Sequence, residues 1–211
     1  MTEANVARPT TILIATNNPH KAAEVRAMLH GLDALGVRFA APADFPGIEP
    51  PVEDADTFDG NARIKAVHYA RHAGCWALAD DSGLEVDALG GAPGVRSARY
   101  ADRPGDDAAN NRKLIAELAG VPPDRRTARF RCVVALAAGP DILATATGVV
   151  HGVIVDEPAG NNGFGYDPHF FVPDCGMTAA QMSPDRKNRI SHRGRAIRAM
   201  LPTLERLLAG R

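Results

Sequence analysis

Cysteine is scarce in this chain, and its copies stand apart. Cys75, Cys132 and Cys175 among 211 residues share no zinc or redox spacing. That excludes a cysteine metal knuckle, a thioredoxin-type motif and a disulfide scaffold. Net charge is scarce too. With 24 Lys plus Arg against 25 Asp plus Glu, no overall field draws the chain to nucleic acid or to a membrane surface. No apolar run is long enough to cross a bilayer. Residues 1–9 are polar where a secretory signal would be apolar, so they read as a flexible N-terminal tail. The expectation is a cytoplasmic setting, with no membrane and no nucleic-acid partner. Aromatic residues make up only 5%, so those that sit among glycines and charges stand out. The 45% of hydrophobic residues suffice, over this length, for one domain or two joined lobes with a real core.

The periodicity then gives an order of elements. Thr10 to Ala15 reads as a short β-branched strand. Asn18 is a natural N-cap with Pro19 at the first helical position, and Val25, Met28, Leu29 and Leu32 recur at helical spacing. Val37 to Ala41 reads as a second strand, followed by a Pro/Gly-rich turn segment through Pro51. Phe58, Ala62, Ala66, Tyr69 and Ala73 trace one helix face between a Thr57 cap and Gly74. Cys75 to Ala79 reads as a short buried strand. Asp80, Asp81 and Ser82 arrive at its end, and Gly83 lets the chain turn. Asp107 to Ala119 is a helix with Leu114, Ile115 and Leu118 on one face and Asn110, Asn111, Arg112 and Lys113 exposed on the others. The runs 128–137 and 141–155 form an antiparallel pair about a Gly139-Pro140 turn, with Gly148 and Gly152 as bulge or bend points, so the sheet is mixed. A last helix begins at Ser191, and Pro202 should kink it.

Four stretches carry chemistry. Thr16-Asn-Asn-Pro-His-Lys21 joins strand to helix and offers free N–H groups and a lysine to an anion, or is an ordinary capped helix; it has neither Walker nor Rossmann glycines. Asp80-Asp-Ser-Gly83 sets two carboxylates side by side. Where water is scarce such a pair calls for a divalent cation, and Mg²⁺ favours one or two carboxylates together with substrate phosphates; a plain surface turn is the alternative. Gly163-Phe-Gly-Tyr-Asp-Pro168 frees two rings to stack on a base, or folds them into the core. Arg186, Lys187, Arg189, Arg193, Arg195 and Arg198 bring six bases with no acid among residues 186–198. That is a solvated helix start or a nucleic-acid patch, the latter lacking a second basic patch and interleaved aromatics.

Ala79-Asp-Asp-Ser-Gly-Leu, Gly90-Gly-Ala-Pro-Gly, Ser97-Ala-Arg-Tyr100, Gly163-Phe-Gly-Tyr-Asp-Pro168 and Lys187-x-x-Ile-Ser-His-Arg-Gly194 together resemble the signature of the noncanonical purine nucleoside triphosphate pyrophosphatases, the inosine/xanthosine triphosphate or Ham1-like family. The resemblance runs in order from about Thr11 to Leu208. It implies an α/β, Maf/Ham1-like fold: a two-lobed subunit around a mixed, twisted central sheet with flanking helices. Residues 10–211 would form one catalytic domain with the nucleotide cleft between its lobes, and two subunits a homodimer. The implied reaction is Mg²⁺-dependent hydrolysis of ITP, dITP and XTP to monophosphate and pyrophosphate. Maf-like specificity for other nucleotides, or nucleotide or RNA binding without catalysis, are the rivals.

Residue by residue, the resemblance places triphosphate contacts on Thr16, Asn17, Asn18 and Lys21, with Ser82 in the substrate set. It places the metal on Glu53 and Asp81, with Asp54 or Asp56 in reserve for Glu53. Asp81 is the expected general base, Asp80 its assistant, and Lys65 the lysine that with Lys21 offsets phosphate charge. Phe164 would stack on the base, with Gly165, Tyr166 and Asp167 holding the nucleoside and Lys187, His192 and Arg193 contacting base and nucleotide. The block around Glu53 departs from the family pattern twice: Ala55 stands where glycine is usual, and Gly60 where glutamate is usual.

Overall fold

The structure, a computed structural model, describes residues 10–210; the tail expected over residues 1–9 lies outside them. In chain order the elements are β1 (Thr10–Ile14), α1 (Pro19–Leu29), β2 (Val37–Ala40), α2 (Phe58–Ala73), β3 (Trp76–Val86), α3 (Asp107–Glu117), β4 (Thr127–Ala138), β5 (Asp141–Ile154), β6 (Phe170–Val172), β7 (Met177–Thr178), α4 (Pro184–Ile190) and α5 (His192–Ala209), with short 3₁₀ turns between. Among the described residues the strands form one sheet in the order β2-β1-β3-β4-β5-β6-β7. β1 runs parallel to β2 and β3, and every pairing from β3 to β7 is antiparallel. The sheet is therefore mixed, as the Gly139-Pro140 hairpin required.

Alternation along β3 and β4 sorts side chains to the two faces of the sheet. On one face Trp76, Leu78, Cys132, Val134 and Leu136 pack with Val25 and Leu29 of α1 and with Ala196, Ile197, Met200 and Leu204 of α5. On the other, Ala77, Ala79, Val133, Ala135 and Ala137 pack with Phe58, Ala62, Ala66 and Tyr69 of α2. The alanines on both sides let α2 lie close to the sheet. A third cluster, with Leu84, Val86, Phe130, Val150 and Phe170, covers the far end of the long strands with Leu114 and Leu118 beside it. Each fully buried Leu or Ile in these clusters stabilises the fold by about 1.5–3 kcal/mol relative to exposure.

β3 does not stop at Ala79. It runs through Asp80, Asp81 and Ser82 to Val86, paired residue for residue with β4. Gly83 is a strand residue, not a turn. A Cβ there would lie 2.3 Å from Ser97 Oγ and 2.6 Å from the Gly94 carbonyl, so its bareness lets the 94–99 turn dock on the strand. The same cause accounts for two more glycines. A Cβ at Gly148 would meet the His192 carbonyl at 2.1 Å, and one at Gly152 the Phe171 carbonyl at 2.5 Å. The register shift in this pair lies instead at Leu136/Ala137. α5 runs through Pro202 to Ala209, and Leu32 belongs to a 3₁₀ turn after α1. α3 also differs from expectation. Asn110 is buried and accepts the Ala101 N–H at 2.8 Å, while Lys113 donates to the Tyr100 carbonyl at 2.8 Å.

Candidate active site

A cleft of about 340 Å³ opens where β1, α2, β3 and the 164–167 turn approach one another. The sequence builds its first wall at the β1–α1 junction. Asn18 Oδ1 accepts the N–H groups of His20 and Lys21 at 2.9 and 3.2 Å, and Pro19 needs no partner at the first helical position. This cap leaves Thr16, Asn17, Asn18 and Lys21 lining the cleft.

The second wall carries the acids. Asp81 projects from β3 toward α2, where Lys65 Nζ lies 2.9 Å from its Oδ1 and 2.8 Å from Glu53 Oε2. Burial raises the pKa of Asp81 against the pull of Lys65 and Lys21. For Lys65 burial works the other way, but Asp81, Asp80 and Glu53 outweigh it and hold the ammonium above its ordinary value. Among the described residues no group of three or more His, Cys, Asp or Glu side chains forms a metal cage. A cage is not needed for Mg²⁺, which keeps waters and takes one or two protein carboxylates plus phosphates. Glu53 and Asp81 supply that donor set, all hard oxygen, and the ammonium between them marks where positive charge is wanted. The residues present fit the ion.

Asn61, which the sequence reading gave no role, holds this wall together. Its Oδ1 accepts the Ala55 N–H at 3.0 Å, and its Nδ2 reaches the Ala55 carbonyl at 3.2 Å and Asp81 Oδ2 at 3.4 Å. The loop bearing Glu53 is thereby tied to α2. The two departures from the family pattern meet here: a Cβ on Gly60 would lie 2.6 Å from the Ala55 Cβ. The methyl at 55 occupies the space that a side chain at 60 would need.

Asp80 does not share the cleft with Asp81. Strand alternation turns it to the opposite face, between the first and third apolar clusters. There it is 5% exposed, with Lys21 Nζ at 3.1 Å, Arg193 Nε at 3.3 Å and Ser82 Oγ at 3.1 Å. Burial opposes its ionisation, yet Lys21, Arg193 and Lys65 hold it well below the usual carboxylate range. Asp80, expected as assistant to the base, thus pairs with two cations behind the cleft wall and is not among the residues that line the cleft.

The nucleoside end is built from the 164–167 turn, α4 and α5. Gly163 adopts φ +79°, and a Cβ on it would lie 2.1 Å from Asp167 Oδ2. Asp167 accepts from the Phe164 N–H at 2.9 Å and from Lys187 Nζ at 2.7 Å. Phe164 lines the cleft with Lys187 Nζ 4.7 Å from its ring centroid and the Arg193 guanidinium at 5.7 Å. The exposed His20 ring stacks on it at 5.4 Å and 17°. Tyr166 takes the other of the two open fates. It touches the cleft, but its ring is buried in the third cluster with its hydroxyl donating to the Ser97 carbonyl at 2.8 Å.

Of the six bases near the C-terminus, Lys187 and Arg193 enter the cleft. Arg195 and Arg198 donate to main-chain carbonyls of Val149, Ile190, Asn188 and Arg189. Glu24 on α1, also missed in the sequence, binds both Lys187 at 3.0 Å and Arg193. Burial opposes its charge, but Arg193 and Lys187 keep its pKa lowered. His192 stacks on Phe130 at 4.8 Å, and its Nδ1 has no partner among the described residues. Burial, then Arg193 and Lys187, push its pKa well down, so it is neutral at pH 7.

A model of the Ham1 family matches residues 12–203. A dITP/XTP pyrophosphatase from Desulforamulus reducens is 49% identical over 196 residues, covering 93% of this chain and 96% of that protein. A HAM1 protein from Coxiella burnetii superposes with a TM-score of 0.84 at 40% identity, over 93% of this chain and 99% of its own. The crystal structure of a nucleoside-triphosphatase / dITP/XTP pyrophosphatase from Mycobacterium abscessus gives 0.74 at 44% identity, over 92% and 100%.

Proposed function

The chain belongs to the Ham1 family, and from that premise we propose that it hydrolyses the purine nucleoside triphosphates ITP, dITP and XTP to monophosphate and pyrophosphate. One observation carries the reading. The cleft has a carboxylate and ammonium end, with Glu53, Asp81, Lys65 and Lys21, and an aromatic and cationic end, with Phe164, Lys187, His192 and Arg193. Phosphates suit the first and a flat base the second.

Lys21 and Lys65 offset triphosphate charge, assisted by the capped start of α1. Asp81, on the cleft wall beside Lys65, is the carboxylate placed to take a proton from the attacking water. Glu53 and Asp81 would hold Mg²⁺, which supplies neutralisation of phosphate oxygens and a water of lowered pKa when bound. At the other end Phe164 fixes the ring plane. Three of the five Arg193 N–H groups already serve Asp80, Glu24 and Ser82. Lys187 and His192, which line the cleft beside Phe164, are the remaining candidates to donate to a 6-oxygen. Adenine presents a 6-amino group there, and two donors left facing each other cost about 1–3 kcal/mol, roughly 5- to 150-fold.

The same reading takes residues 10–211 as one two-lobed catalytic domain closing on the nucleotide and two chains as a homodimer; the family resemblance supports both. It places the protein in the cytoplasm, where the free thiols of Cys75, Cys132 and Cys175 belong. It names no nucleic-acid partner, since Arg195 and Arg198 are spent on carbonyls. Among the described residues no helix is long and apolar enough to cross a membrane. The test is pyrophosphate release from ITP, lost with chelator and restored by Mg²⁺. D81N should lose on the order of 10² or more in turnover while still binding nucleotide. Near-wild-type turnover in D81N would sink the assignment.

A further inference from the structure

Phe164 reaches the cleft from a short turn whose own hydrogen bonds restrain its N–H and, through a long 3.3 Å bond from the Asp167 N–H, its carbonyl, and leave the Gly165 N–H and the Gly165 carbonyl to other partners. Asp167 accepts from the Phe164 N–H and is locked to Lys187. The residue between, Gly165, has φ +63° and open space around it. A glycine so placed lets the peptide planes on either side rotate, and Phe164 would swing with them.

α3 prevents this. Asp107 Oδ2 accepts the Gly165 N–H at 2.6 Å, and Asn111 Nδ2 donates to the Gly165 carbonyl at 2.9 Å. The N–H lies in the 164–165 peptide and the carbonyl in the 165–166 peptide, so one helix holds both planes flanking the Gly165 Cα. The positions lie one turn apart on α3, at i and i+4, and so share a face. Asn111 Oδ1 is buried without a partner among the described residues. An unpaired buried acceptor is destabilising, so the Nδ2 bond is what the amide's placement serves.

We propose that Asp107 and Asn111 are positioning residues for the base: they set the orientation of Phe164 by fixing φ and ψ of Gly165. The proposal rests on the reading of Phe164 as the stacking ring of a nucleotide hydrolase. Its consequence is that their loss is felt by the base and not by the phosphates, which bind at the other end of the cleft.

The experiment compares wild type, D107A, D107N and N111A with two probes, ITP as substrate and inorganic tripolyphosphate as a competitor without a base. D107A should raise KM for ITP about 10-fold or more and N111A about 3- to 10-fold, with kcat changed less than about 3-fold. The inhibition constant of tripolyphosphate should stay within about 2-fold, and D107N, which keeps an acceptor oxygen, should recover most of the ITP affinity. A general loosening of the fold would instead weaken both probes together, and that result overturns the proposal, as does an unchanged KM in D107A. Failure of wild type to release pyrophosphate from ITP overturns the hydrolase reading itself and the proposal with it.

Discussion

Gly60→Glu restores the residue usual in the family at that position, and the structure predicts that it damages this protein. The new Cβ would stand 2.6 Å from the Ala55 Cβ, about 1 Å inside the ordinary carbon–carbon contact of 3.5–4.0 Å. Overpacking of that kind costs about 1–3 kcal/mol. Against it stand gains from replacing a helical glycine, up to about 1 kcal/mol, and from completing a capping box with Thr57. The clash also pushes on Ala55, whose main chain Asn61 ties to Asp81, so Glu53 should shift and turnover fall. Ala55→Gly removes the methyl at a cost of about 0.4–1 kcal/mol in loop entropy. In A55G/G60E the clash is gone and the helix gains remain. A double-mutant cycle by urea unfolding should therefore give a coupling of about 1–3 kcal/mol in favour of the pair, with ITP turnover recovering alongside. Additive effects, or a G60E protein as stable and active as wild type, would refute the steric reasoning.

Removing the ammonium between Glu53 and Asp81 should free both carboxylates for a cation. Lys65→Met is expected to bind Mn²⁺ without nucleotide at least about 10-fold more tightly by electron paramagnetic resonance while losing turnover; equal or weaker binding would contradict this. His192 gives a pH prediction. Its folded pKa is depressed, so its contribution to stability is fully present above the unfolded value of about 6.5 and is lost as pH falls below it. Between pH 7 and 5.5 wild type should lose about 1 kcal/mol more than H192Q in urea unfolding, and parallel losses would show that His192 charges freely in the fold.

Local signals were legible in the sequence where chemistry and period coincide. The Asn18-Pro19 cap, the Thr57 and Gly74 bounds of α2 and the antiparallel hairpin at Gly139-Pro140 each depend on a few neighbouring residues. What failed depends on partners distant in the chain. Gly83, Gly148 and Gly152 look like turn or bulge residues, but their bareness answers to backbone arriving from Gly94, His192 and Phe171. Asp80 and Asp81 look like one pair until β3 is known to continue through them. Glu24 was invisible because its partners lie 163 and 169 residues away. Asn61 and Asn111 read as surface or neutral positions because an amide gives no period, and only the fold shows what each one holds.

The most direct test is product analysis with ITP, XTP, ATP and GTP at equal concentrations in Mg²⁺, measuring kcat/KM and identifying both products. The account predicts monophosphate and pyrophosphate in equal amounts, with no diphosphate intermediate, and a preference for ITP and XTP over ATP of at least about 100-fold. Nucleoside diphosphate with inorganic phosphate, or equal rates on all four, would contradict it.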